Sequence, residues 1–153
     1  MRFIFTPMTA AQAHAIVAWH YEGPYAFYDV AQDPDDARAF LDNWTWGKTM
    51  FSVVDARGEL AGFFSCRQDG DAVTIGLGLR PDLTGQGLGF AFLQAGLGFA
   101  RGAFSPRHFR LSVALFNRRA IRVYERAGFR PSGTAMVETN GGRHEFLDMT
   151  RPT

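Results

Sequence analysis

Residues 2–6 alternate bulky side chains, which predicts a first strand. Residues 10–19 then turn Ala-rich behind Thr9, a hydroxyl residue suited to an N-cap, and predict a helix. Residues 20–32 (HYEGPYAFYDVAQ) mix polar and aromatic side chains around Gly23-Pro24 and predict a loop or a broken helix. Asp33-Pro34 opens a second helix, with Pro in its first turn, Asp35 and Asp36 near its positive end, and Phe40, Leu41 and Trp44 on one face. A meander follows, with strands over residues 49–55, 59–68 and 72–80 joined at Ala56-Arg57-Gly58 and at Asp69-Gly70. Residues 86–102 predict a helix that is apolar nearly all round and therefore covered on most sides. A strand over residues 109–115, a helix over 117–127 stopped by Gly128, and a last hairpin (129–138 and 143–149) across Asn140-Gly141-Gly142 complete the chain. The order β-α-α-β-β-β-α-β-α-β-β predicts an α/β sheet, antiparallel at first, with right-handed crossovers in its second half.

Composition narrows the classes. With 153 residues, 46% of them hydrophobic and 20% charged, the chain has room for a genuine core. It has no internal repeat or low-complexity linker, so a single domain over residues 1–153 is expected. The one cysteine, Cys66, excludes a disulfide framework and reads as a core residue of the third strand. No two of the four His share a zinc-hydrolase spacing, so no metal is expected. The first residues, MRFIFTPMTA, lack the apolar run of a signal peptide. The longest apolar stretch, residues 88–100, is too short for a membrane span, so a soluble, cytoplasmic protein is expected. Charge is uneven: residues 1–100 hold 6 basic and 11 acidic side chains (net −5), residues 101–153 hold 10 and 4 (net +6). The basic cluster is either solvated Arg or a local site for a polyanionic ligand, and its field is too weak for duplex nucleic acid.

The segment Leu77-Gly78-Leu79-Arg80-Pro81-Asp82-Leu83-Thr84-Gly85-Gln86-Gly87-Leu88-Gly89 reads as strand, glycine-rich loop and helix. Glycines there let backbone N–H groups approach a ligand, and a helix N-terminus adds positive partial charge. That combination suits a pyrophosphate. A Walker A loop requires a Lys that this segment lacks, and the spacing after Gly85 and Gly87 does not fit G-x-G-x-x-G.

The loop resembles the acyl-CoA-binding motif [QR]-x-x-G-x-[GA] of the GNAT superfamily of N-acetyltransferases. Laid on this chain the motif comprises Thr84, Gly85, Gln86, Gly87, Leu88 and Gly89, and Thr84 departs from the usual Gln or Arg. A second segment, Asn117-Arg118-Arg119-Ala120-Ile121-Arg122-Val123-Tyr124-Glu125-Arg126-Ala127-Gly128-Phe129, resembles that superfamily's N-x-x-A-x-x-x-Y-x-x-x-G-F helix. The resemblance implies a mixed, mostly antiparallel sheet of about seven strands with about four helices, in which parallel strands four and five splay apart. It implies acetyl-CoA as cosubstrate, with backbone groups of Leu77, Gly78 and Leu79 pairing with the pantetheine amides. Asn117 then contacts the cofactor or fixes the splayed strands, and Tyr124 protonates the departing thiolate. Arg80, Arg118, Arg119 and Arg122 are candidates for the phosphates. Relatives with a strand-four Glu as base carry it where this chain has Val73. The proton is then removed by a water chain or by the acceptor loop, where His20, Glu22, Tyr28 and Asp29 are the candidates. Glu22 and Asp29 also read as plain surface carboxylates, and His20 as the end of the first helix.

The implied activity is acetyl transfer to a primary amine of a small molecule or peptide by direct attack in a ternary complex. The alternative is an acyl-CoA-binding sensor without turnover. No nucleic-acid or membrane partner is expected, and the apolar final hairpin suits a homodimer.

Overall fold

The computed structural model describes residues 1–153, and three of its four α-helices start where a side chain satisfies free backbone amides. β1 (Ile4–Pro7) leads into Thr9, whose hydroxyl accepts from the Gln12 amide while the Gln12 side chain accepts from the Thr9 amide. This reciprocal cap starts α1 (Ala10–Val17), which buries Ala13 and Ile16. Two 3₁₀ turns, Gly23–Tyr28 and Val30–Gln32, occupy the segment expected to be loop or broken helix. Asp33 then caps α2 (Pro34–Leu41) by accepting from the Asp35 and Asp36 amides.

α2 ends sooner than its hydrophobic spacing implied. Only Phe40 turns inward, meeting Phe63 edge-on with centroids 4.9 Å apart; Leu41 and Trp44 are 39% and 72% exposed. The reason is Asp42, whose carboxylate accepts from the Trp44 amide and opens a separate 3₁₀ turn, Asn43–Thr45. That turn rotates Trp44 outward, where the Lys48 ammonium sits 3.4 Å from its ring centroid.

β2 (Met50–Val54), β3 (Leu60–Asp69) and β4 (Ala72–Leu79) form the meander. α3 (Gly89–Phe104), β5 (His108–Ala114), α4 (Arg118–Arg126), β6 (Arg130–Thr139) and β7 (Gly142–Pro152) follow. The sheet has seven strands in the order β1-β2-β3-β4-β5-β7-β6. β4 and β5 are parallel, as the α3 crossover requires, but their ladder covers only Ala72, Val73 and Thr74 against His108, Phe109 and Arg110. It stops there although β4 runs on to Leu79 and β5 to Ala114. β5 is instead paired along its whole length with β7, antiparallel. The last hairpin turns on two residues, Asn140 and Gly141, the preferred chemistry for a tight hairpin loop.

The residues divide into two units, 1–65 with 77–86, and 66–76 with 87–153. In the first, Met8, Ala13, Ile16, Val30 and Phe40 form a core that Trp19, Trp46 and Phe63 help to close. In the second, α3 buries Phe92, Leu93, Gly96, Leu97 and Ala100, one stripe at helical spacing. Cover on most sides was expected of α3, and its outer face is open to solvent at Ala91, Gln94, Gly98 and Gly102. Small side chains on the outer face had made the helix read as apolar on every side.

Candidate functional site

The polar side chains of the turn after β4 are spent on the turn itself. Arg80 forks onto Asp82 (2.6 and 3.1 Å) and reaches the Leu60 carbonyl (2.6 Å). The hydrogen bond to Asp82 pushes the Arg80 guanidinium further up and holds the Asp82 carboxyl below its ordinary value. Arg80, one of the candidates for the phosphates, is thus engaged by the Asp82 carboxylate and the Leu60 carbonyl. The Thr84 hydroxyl donates to the Pro81 carbonyl at 2.7 Å, and the Gln86 side chain to the Asp82 carbonyl at 2.6 Å. What the loop has left to offer a ligand is backbone.

Gly85 and Gly87 carry that backbone through the left-handed region, at φ of 72° and 76°. A Cβ at either position would meet nothing within 4 Å, so both are glycine for conformation and face open space. The two positive φ angles also explain why α3 starts at Gly89 and not at the expected residue 86. Leu88 precedes α3 without a side-chain cap, so no side chain caps the first-turn amides of a 16-residue helix. Two glycines bent toward open space and an uncapped helix start fit a pyrophosphate. A Cβ on Gly89 would sit at ordinary contact distance, 3.8 Å, from Val123 of α4.

At the end of β4 the glycine has a different cause. A Cβ on Gly78 would lie 2.4 Å from the Phe63 ring, so its missing side chain makes room for that aromatic. Val73, at the position where some relatives carry a base, is wholly buried and supplies none. The last carbonyl of the strand, Leu79, accepts from the Tyr21 hydroxyl at 2.6 Å. Burial first, and the charge of Asp29 second, push the Tyr21 phenol well above its ordinary value.

Asp29 organises the segment that carries Tyr21. One carboxylate oxygen accepts from the Tyr21 amide (2.8 Å) and the other from His20 Nδ1 (2.6 Å). The Asp29 side chain is only 7% exposed, whereas the His20 ring is 76% exposed. Of the four acceptor-side candidates, the structure thus joins His20 and Asp29 directly. Glu22 is exposed, and Tyr28 packs edge-on against Phe27. The expected alternative of Asp29 as a plain surface carboxylate does not hold. Tyr21 stands out only in the structure, because in the sequence it is one aromatic among several.

In the second unit, Asn117 caps α4 by accepting from the Ala120 amide (3.2 Å) and is itself buried. Tyr124, two turns further on, is partly buried and meets Phe129 edge-on at 6.1 Å. Arg118, Arg119 and Arg122 lie exposed on the same helix. An open depression of about 380 Å³ beside its start is lined by Phe116, Arg118, His144 and Glu145 among others. No group of three His, Cys, Asp or Glu is placed to hold a metal ion, and no helix is long and apolar enough to cross a membrane.

The sequence matches the acetyltransferase (GNAT) domain family over residues 2–130. No curated protein matches it by sequence. Among solved structures, an acetyltransferase of the GNAT family from Bacillus anthracis is similar over 99% of this chain and 95% of its own, with 17% identity and a TM-score of 0.77. A spermidine N-acetyltransferase from Vibrio cholerae, solved with CoA and spermine, is similar over 98% of this chain and 95% of its own, with 18% identity and a TM-score of 0.71. At such identities the likeness concerns the fold.

Proposed function

We propose, since this chain belongs to the GNAT acetyltransferase family, that it moves the acetyl group of acetyl-CoA to the primary amine of a small molecule or peptide by direct attack in a ternary complex. The observation that carries the reading is the turn at Gly85 and Gly87, bent into open space before an uncapped α3. Amides of residues 84–89 would hold the pyrophosphate, and backbone groups of Leu77, Gly78 and Leu79 the pantetheine arm. The Leu79 carbonyl already accepts from Tyr21, which leaves that oxygen one further lone pair for the arm. When bound, acetyl-CoA supplies an activated thioester. Tyr124 is assigned the proton for the leaving thiolate, a step that a positioned phenol O–H can serve as general acid.

The acceptor is proposed to be a small cationic amine. Glu22 is exposed, and the carboxyl of Asp36 is raised by burial and then by the charges of Asp33 and Asp35, so negative charge accumulates beside this segment. The Vibrio cholerae neighbour, solved with spermine, makes polyamines the first acceptors to try.

The test pairs a binding and a turnover measurement. Millimolar acetyl-CoA should raise the melting temperature by linkage to the folded state, and thiol should be released with at least one amine of a panel led by polyamines. No thermal shift would defeat the donor assignment. A shift with no thiol release from any amine would favour the sensor reading.

A further inference from the structure

We propose that His20 is the general base of the transfer, taking the proton of the acceptor ammonium at Nε2, with Asp29 and Tyr21 as its positioning residues; the proposal rests on the acetyltransferase reading above. Four observations lead there. The strand position where some relatives carry a base holds buried Val73, which can take no proton. His20 is hydrogen-bonded at Nδ1 to Asp29 (2.6 Å), and a carboxylate only accepts, so Nδ1 carries the hydrogen and Nε2 presents a lone pair. The ring is 76% exposed and Nε2 has no partner within the chain, so an incoming amine can reach it. The segment is also fixed to the strand end assigned to the acyl donor, since Tyr21, the next residue, donates to the Leu79 carbonyl at 2.6 Å.

Asp29 would be costly as mere filler. A carboxylate so little exposed needs compensation, and it receives two hydrogen bonds, from the Tyr21 amide and the His20 ring. Its two oxygens therefore set the ring's tautomer and orientation together. One proton moves in the proposed step, from the acceptor ammonium to Nε2 and then to water, leaving a neutral amine as the nucleophile.

The variants are made in the full chain and assayed with the amine that the panel identifies. His20→Ala should keep the wild-type thermal shift with acetyl-CoA and its KM for acetyl-CoA, while kcat falls ~10²-fold or more. Free imidazole should restore part of that loss, because the exposed site can admit it. In Asp29→Asn the amide oxygen still accepts from Tyr21, but its NH₂ group faces Nδ1 and favours a hydrogen on Nε2. That variant should lose kcat as His20→Ala does, with the fold retained.

A readout independent of turnover is nitrogen-15 NMR of the His20 ring in the protein alone. The neutral ring should carry its hydrogen on Nδ1 in the wild type and on Nε2 in Asp29→Asn. A kcat within threefold of wild type in folded His20→Ala, or a wild-type ring with its hydrogen on Nε2, would overturn the proposal and leave the acetyltransferase reading standing. Wild-type protein that neither binds acetyl-CoA nor releases thiol would overturn both.

Discussion

Tyr124 and Gly78 illustrate two ways in which one residue can be constrained. Tyr124 packs edge-on against Phe129, so removing its hydroxyl while keeping the ring should leave that contact in place. If the phenol protonates the leaving group, Tyr124→Phe should lower turnover by ~10²-fold, the lower end of what one positioned acid contributes, because a thiolate already leaves readily. Acetyl-CoA affinity should stay within a few-fold. Unchanged turnover in the folded variant would remove Tyr124 from the chemistry. Gly78 is fixed by packing instead. Its Cβ position lies 2.4 and 2.8 Å from two atoms of the Phe63 ring, which also packs against Phe40. Gly78→Ala must displace that ring and should destabilise the fold by about 1–3 kcal/mol, the usual cost of overpacking. Thermal denaturation measures it, and a variant as stable as wild type would mean that the ring yields freely.

Elements were legible in the sequence to the extent that their signals are local. Thr9, Asp33 and Asn117 each stand one residue before a helix, and the structure finds each capping it. The two motif segments fall on the loop and helix expected of them, because glycines, a capping Asn and a Gly stop are read over a few residues. Outcomes that depend on distant partners were not legible. That Asp29 is buried follows from where the Tyr21 amide and the His20 ring come to lie, and no spacing announces a contact such as Tyr21 to Leu79, 58 residues apart. The start of α3 was missed for a conformational reason, since glycine can begin a helix or hold it off. Here Gly85 and Gly87 hold it off. This makes the turn testable as an element. Gly87→Glu forces a side chain into a left-handed position and sets a negative charge in the open space before the helix. The acetyl-CoA thermal shift should disappear while the free protein stays folded. Tight acetyl-CoA binding by that variant would refute the assignment of the cradle.

For the whole molecule, a GNAT fold shared at 17–18% identity means that pattern carries the architecture rather than particular side chains. Stability should accordingly reflect groups that the fold buries for packing alone. Cys66 is one of these: it is fully buried on β3, and burial pushes its thiol from an ordinary 9.0 up to about 12. Burial also pushes up the Tyr21 phenol, so two acids resist ionisation in the folded chain. Below pH 9 both forms of the protein keep the Cys66 proton, and that proton has no effect on stability's slope. Above pH 9 the unfolded chain releases the proton while the folded chain retains it, so the unfolded state gains with each further unit. Stability should therefore fall as pH rises from about 9 toward 12, by up to about 1.4 kcal/mol per unit for one such thiol. Denaturant midpoints measured between pH 7 and 11 would trace the decline. Cys66→Ala should be less stable at neutral pH, because it leaves a small cavity, yet its decline above pH 9 should be shallower. At pH 8 the native thiol should also resist a disulfide reagent that reacts at once in denaturant, since attack needs an accessible thiolate. Parallel alkaline slopes for the two proteins, or rapid labelling of the native thiol, would show that Cys66 is not held as a buried, protonated core residue.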